Sequence, residues 1–600
     1  MRNTSIIKLF FIITLVSFFL IAGGCQTSNQ TTHHFTFISG DPLTGSGNVT
    51  RTVMTYSDLM SGSAPANPID IGALGLPANA AAPSYTFEGS LSLSNEATSG
   101  EFDKVKDSAN YDADAERLHI PEFDFEFVQN GSYLIPTQRG KIVTAHPYWD
   151  YILSPGRVWD ENGDTGYSRA SFPFALVEKN ANCTHNGVMT FLFNDSGNSQ
   201  VYYEITQETC YYFKADYWGM LPATYTAQSV TGSTQLQDAF AQEVSVQMPV
   251  KAFSALSTDY PGIDLAPFTS GIGDMTAYGL VVDGTNYVGG GDTRYGTFPY
   301  LQFMRMPSYS TAKSAFAGVV YMRLGKKYGD NVANLLIKDY VPEYASSAGD
   351  WASVTFNNTL DMATGNCFSS RFETDEDGSK MADFFEAETY ADKIDIAFDW
   401  GNKASPGTIW VYHTSDMFIV TRAMQNYLQT QAGSGADIFD LLVDDVFKPI
   451  EIGPGAYTSL RTSDNNWTGE PFGGYGLFWI PDDIAKLTSF LNVDGGSANG
   501  TQILSPALLA DAMQQDASDR GLQTATYDFM YNNGFWSHEF TTSDGYACDF
   551  WVPYMSGYGG ITFAMMPNGV TYYYVSDNGD FDWYDVIAEV DQSVASNCGQ

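Results

Sequence analysis

Positive charge is what this sequence has least of. Twenty-nine lysines and arginines stand against 69 aspartates and glutamates, for a formal net charge of −40 and a pI near 4.2. A field of that sign repels DNA and RNA, which argues against nucleic-acid partners. The acids are spread along the chain rather than gathered in a tail, the pattern of a solvated acidic surface. Long apolar runs are scarce too: after residue 25 none is long and apolar enough to span a bilayer. Histidine is rare, and only His413 and His538 follow position 310. There is no G-x-S-x-G elbow, which disfavours an α/β-hydrolase. No nucleotide, haem or zinc motif is present, so no cofactor and no metal is expected. What is abundant is hydrophobic (44%) and aromatic (15%) residues, in a 600-residue chain. That composition excludes disorder, and the length exceeds one ordinary core, so two large domains or three are expected.

The first 25 residues read as a targeting segment. Arg2 and Lys8 give a positive start, Ile12 to Ile21 is almost wholly apolar, and Ala22-Gly23-Gly24-Cys25 follows. This resembles a bacterial lipoprotein signal, which implies lipidation at Cys25 and a membrane partner through that anchor. Ala22 stands where such signals more often carry leucine, which leaves ordinary signal cleavage open. The expected location is the bacterial cell envelope, lipid-anchored at the outer membrane or in the periplasm, or secreted. Residues 26–50 are polar and rich in Ser, Thr and Gly, a flexible tether.

From 51 to 250 short alternating runs such as "YTFEGSLSL" and "FDFEFV", punctuated by Gly, Pro, Asn and Asp, predict a β-rich accessory domain. Cys183 and Cys210 flank two strand-like runs joined by "NDSGNS", a hairpin whose ends a disulfide would staple. The pairing of Cys367, Cys548 and Cys598 is left open. In "WDENGDTG", Asp160, Asn162 and Asp164 alternate as in calcium loops, but Ser171 stands where the bidentate acid belongs, so an Asx-rich turn is expected instead. His185-Asn186-Gly187 reads as structural.

After 250 the texture changes. A hairpin turning at Asp283-Gly284 precedes helical patterns at 310–326, 330–339, 413–430, 437–448, 481–493 and 505–515. Strands return in "GGITFAMMPNGVTYYYVSDN". Strands, helices and strands again predict a mixed domain over 251–600 whose sheet joins distant segments. At the mouth of the first helical pattern stand Ser310 and Lys313. A serine hydroxyl needs a base to become a nucleophile, and residues three apart on a helical turn share a face, which brings the lysine amine to the serine oxygen. Burial beside a helix start would lower the lysine pKa toward a useful base. Alone the spacing is weak, since Ser5 and Lys8 repeat it inside the signal segment.

Collinear segments strengthen it. "FMRMPSYSTAKSAFAGVVYMRLG", "WVYHTSDMFIVTRAM", "FDLLVDDVFKPIEIG", "GGYGLFWIPDDIAKLTSFLNVDGGSANGTQILSPALL" and "MSGYGG" follow one another over roughly residues 270–580. In order and spacing they resemble the serine β-lactamase and penicillin-binding-protein superfamily, closest to class C β-lactamase-related serine hydrolases. The resemblance implies an α+β fold, a β-lactamase/transpeptidase-like domain with an antiparallel sheet flanked by helices, preceded here by the mostly β domain. It implies Ser310 as acylated nucleophile, Lys313 and Tyr412 sharing proton traffic, with Tyr412 as phenolate-like base and then acid, and the backbone N–H groups of Ser310 and Tyr558 as oxyanion hole. Thr414, Ser556 and Gly557 fall at substrate-binding positions, Thr414 to orient substrate or Lys313. The departure is Met555, which replaces the basic residue that would hold a substrate carboxylate. The expected function is thus an exported serine hydrolase acting on neutral ester or amide substrates, small-molecule or peptide. A β-lactamase or D-amino-acid peptidase and, from another class, a non-catalytic envelope binding lipoprotein are the alternatives.

Overall fold

The computed structural model describes residues 41–93, 100–270, 275–524 and 528–598. The signal segment with Cys25, and residues 26–40 of the tether, lie outside the described residues. Two sheets organise the rest, antiparallel throughout except for the edge strand Val250–Ala252, which runs parallel to Thr285–Gly290. The first has thirteen strands drawn from 88–227, running from Ala223–Ala227 and Glu88–Leu93 at one edge to Phe213–Leu221 and Glu101–Asp107 at the other. At its centre Ser168–Glu178, Thr184–Asn194 and Val201–Thr209 pair in sequence order. One face closes on its own aromatic core around Phe87, Phe172, Phe191 and Tyr217. The other presents Ile152, Val177, Val188 and Tyr202 to a second core shared with residues beyond 277. The Cys183–Cys210 disulfide ties the ends of the hairpin formed by Thr184–Asn194 and Val201–Thr209.

The second sheet has nine strands and joins 250–290 to 522–576. Met275–Val282, after Thr285–Gly290, pairs with Thr571–Ser576, and Ile561–Met565 lies between that strand and Phe550–Gly557. Asp283 and Gly284, both at positive φ (48° and 69°), form the tight turn that the Asp-Gly pair predicts. Alternation along the strands serves two cores: Met555, Phe563 and Tyr573 face one, while Val552, Tyr572 and Tyr574 face the other with Val586, Ile587 and Val590 of the helix Tyr584–Ser593. Helices Val319–Tyr328, Thr414–Ala432 and Pro481–Asn492 bury their apolar faces in the first of these cores. This is the expected α+β arrangement, an antiparallel sheet flanked by helices. Among the helical expectations, 330–339 is corrected. It forms only short 3₁₀ turns, Asp330–Asn334 and Ile337–Asp339, because Leu336 bridges Thr355 and the Ile337 N–H donates to Val354 O. Cys548 bonds to Cys598, and Cys367 is a buried free thiol.

Candidate active site

Ser310 sits at the junction of the short strand Met306–Pro307 and the helix that follows. The helix opens with a π-helical stretch, Lys313–Gly318, before the α-helix from Val319. Tyr309, just before Ser310, has φ +39°, a left-handed conformation that a bulky residue adopts only when its surroundings over-determine it. The Lys313 N–H donates to Ser310 O at 3.0 Å, and this single turn brings the Lys313 Nζ to Ser310 Oγ at 2.7 Å. Lys313 is 1% exposed. Burial lowers its pKa to about 8, while the carboxylates of Glu376 and then Glu373 hold it from falling further.

Tyr412 lies two residues before the 19-residue helix Thr414–Ala432 and comes to Lys313 from about a hundred positions away, with the Lys313 Nζ 4.7 Å from its ring centroid. Its ring packs against Trp410 (6.0 Å) and Trp536 (5.8 Å). Burial pushes the phenol well above its usual range, and neighbouring Tyr531 and Glu376 add to this, against a hydrogen bond with Ser310 that works the other way. A phenolate-like base is therefore disfavoured at rest. These shifts favour a neutral Tyr412 phenol beside a Lys313 amine hydrogen-bonded to Ser310.

The remaining expected positions divide. Gly557 lies against the nucleophile segment so closely that a Cβ there would sit 2.9 Å from Ser308 O, so its lack of a side chain permits this approach. Tyr558 stacks edge-on with Tyr309 at 5.6 Å, which puts it beside Ser310. Ser556 is half-buried. Thr414 is not available to substrate or to Lys313: it is 2% exposed, and both its N–H (2.8 Å) and its hydroxyl donate to Glu376. Met555 is fully buried, in the core that also holds Tyr309, Ala312 and Tyr412. In the "WDENGDTG" loop, Asp160 accepts from Ser84 and Ser168, and Asp164 is paired with Arg169 at 2.8 Å. His185 is fully buried among Trp149, Phe213 and Tyr217, its pKa lowered to about 4 by burial. Among the described residues no group of three or more His, Cys, Asp or Glu is arranged to hold a metal ion.

Two features of the site escaped sequence reasoning. One is the acidic segment "FETDEDG". Glu376 in it bears on Lys313, and half-buried Glu373 is raised to about 7, by burial first and then by Asp377 and Glu376. The loop is moored by Asp375, which accepts from Phe368 N (2.7 Å) and Ser369 N (3.0 Å) and pairs with His413 Nε2 at 3.1 Å. His413 is stacked on Trp400, and its carboxylate neighbours raise its pKa to about 9 in spite of burial. In sequence these acids were indistinguishable from the surface charge spread along the chain. The other is Asn182, adjacent to Cys183, treated below.

No family model matches the chain, and no curated protein matches it. Solved structures do. A penicillin-binding protein homolog from Caulobacter crescentus is 18% identical, over 55% of this chain and 94% of that one, with a TM-score of 0.38. A family VIII carboxylesterase is 18% identical over 54% and 94%, TM-score 0.36. A class C β-lactamase is 12% identical over 57% and 96%, TM-score 0.40. Each likeness covers little more than half of this chain.

Proposed function

We propose that this chain is an exported serine hydrolase that opens ester or amide bonds through an acyl-enzyme on Ser310. The observation that carries this reading is the 2.7 Å hydrogen bond from a buried lysine amine to a serine hydroxyl, with a buried tyrosine ring beside both. With a pKa of about 8, roughly one Lys313 in ten is free amine at pH 7, enough to act as general base. Lys313 takes the Ser310 proton as Oγ attacks the carbonyl carbon. The Ser310 and Tyr558 N–H groups stabilise the oxyanion as it develops, and Tyr412 protonates the leaving group. Lys313 then returns its proton to Tyr412, takes one from the water that attacks the Ser310 ester, and gives it to Ser310 Oγ as the acid is released. Glu373 and Glu376 near Lys313 favour neutral over anionic acyl substrates, in the direction of the chain's overall charge. Anchoring through Cys25 to the cell envelope completes the proposal, with membrane and small-molecule or peptide substrate as partners. A fluorophosphonate probe tests it. Intact mass should show one adduct, mapped to Ser310, together with turnover of a neutral p-nitrophenyl ester. No adduct and no turnover would favour the binding-lipoprotein alternative.

A further inference from the structure

Asn182 belongs to the N-terminal sheet, in the loop between Ser168–Glu178 and Thr184–Asn194, yet its side chain lies against the nucleophile segment. It is 1% exposed. Its Oδ1 accepts from Tyr309 N (2.9 Å), Ser308 Oγ (3.1 Å) and Gly476 N (2.8 Å), and its Nδ2 donates to Leu477 O (3.2 Å). Ser308 closes the node: its N–H donates to Leu477 O (2.9 Å), and its Oγ accepts from Leu477 N (3.0 Å). Four positions later Asn186 clips the same segment, accepting from Arg305 N and donating to Arg305 O, both at 2.9 Å. The disulfide beside Asn182 fixes Cys210, whose neighbour Tyr211 packs edge-on against Tyr558 at 5.4 Å. One end of the stapled hairpin therefore bonds the two residues before Ser310, and the other packs against Tyr558.

The Tyr309–Ser310 peptide carries the Ser310 N–H. Its orientation follows from the backbone angles of Tyr309, which sit in a left-handed conformation that a bulky residue keeps only when held. Asn182 holds it, by accepting from the Tyr309 N–H and by locking Ser308 to the adjacent strand. We propose that Asn182 is a positioning residue for Ser310, and that the N-terminal sheet is a built-in wall of the catalytic centre rather than a separate binding module. This rests on the serine-hydrolase reading.

The test uses the full chain and four variants, with kcat and KM on a neutral p-nitrophenyl ester, the rate of fluorophosphonate labelling of Ser310, and thermal melting. Asn182→Ala should lower kcat and the labelling rate together by about 10- to 100-fold, the scale of a misplacement near 1 Å, with KM little changed. Asn182→Asp keeps the acceptor but sets a carboxylate against Leu477 O. Its activity relative to wild type at the same pH should recover as the pH falls and the acid O–H replaces the amide donor. Asn180→Ala is the control, because the Asn180 side chain anchors the same loop to the carbonyls of Phe385, Glu386 and Ala387 instead of to the nucleophile segment; it should leave kcat near wild type. A folded Asn182→Ala with wild-type kcat and labelling would overturn the proposal, as would an equal loss from Asn180→Ala. If Asn182→Ala does not fold, Ser308→Ala decides: it removes the hydroxyl shared by Asn182 and Leu477 and should slow labelling, and an unchanged rate overturns the proposal. Wild type that neither labels nor turns over fails the hydrolase reading itself and takes this inference with it.

Discussion

Replacing Glu376 with glutamine isolates the charge that acts on the proposed base. Glu376 accepts from both the N–H and the hydroxyl of Thr414. A glutamine can keep this geometry, accepting from the N–H through Oε1 and donating through Nε2 to the hydroxyl oxygen. What disappears is the negative charge, the larger of the two carboxylate influences that hold Lys313 up at about 8. The catalytic form is the free amine, so kcat/KM rises with pH through the Lys313 pKa. Removing a neighbouring anion destabilises the ammonium and lowers that pKa, which moves the rising limb to lower pH. An opposite charge within about 4–6 Å shifts a pKa by about 1 to 3 units, and partial exposure places Glu376 at the low end, about 1 unit. Well below the limb, each unit of displacement makes the variant about tenfold faster than wild type. The assay is kcat/KM on a neutral ester from pH 5 to 9, which reports the free enzyme and keeps substrate charge out of the comparison. Glu373→Gln should move the limb the same way by less, and only where Glu373 is ionised, above about 7. A limb that stays in place in Glu376→Gln, or moves to higher pH, refutes Lys313 as the titrating base.

Five further outcomes follow from the same geometry. Ser310→Ala should abolish ester turnover and labelling. Ser314→Ala, which removes only a 2.6 Å bond to Gly534 O, should keep turnover and lose about 1 kcal/mol in a denaturant melt; equal losses of activity would mean the wrong serine has been chosen. Met555→Lys should lower the melting temperature markedly, because it places an ammonium in a fully buried core position; an unperturbed melt with faster penicillin hydrolysis would show that the side chain reaches the site after all. Turnover should persist in EDTA, since the base is an amine, and full loss restored by zinc would sink the mechanism. In a matched pair of esters the anionic one should be the poorer substrate at low salt, with a gap that narrows but persists in 1 M salt. Equal rates would remove the role given to Glu373 and Glu376.

What the amino-acid sequence determined by itself is what depends on near neighbours or on period. The Asp283-Gly284 turn, the alternating strands and the long helix after Tyr412 follow from local conformational preference and from side chains recurring every two or 3.6 positions. Ser310 and Lys313 meet for the same reason, being one turn apart. Motif order was legible as well, and with it the antiparallel sheet flanked by helices. Tertiary structure alone decided which residues converge from afar and which way they face. Met555 breaks the motif in sequence, and only strand pleating and packing put it, fully buried, in the core that holds Tyr309 and Tyr412. Thr414 looked like a substrate contact, and a loop 38 residues upstream claimed both its donors. Asn182 reaches Tyr309 across 127 positions, and nothing in "NANCTH" distinguishes it from any other loop asparagine. The pKa shifts of Lys313 and Tyr412 belong to this second class, because desolvation and the nearness of Glu376 arise only when the chain is folded around them.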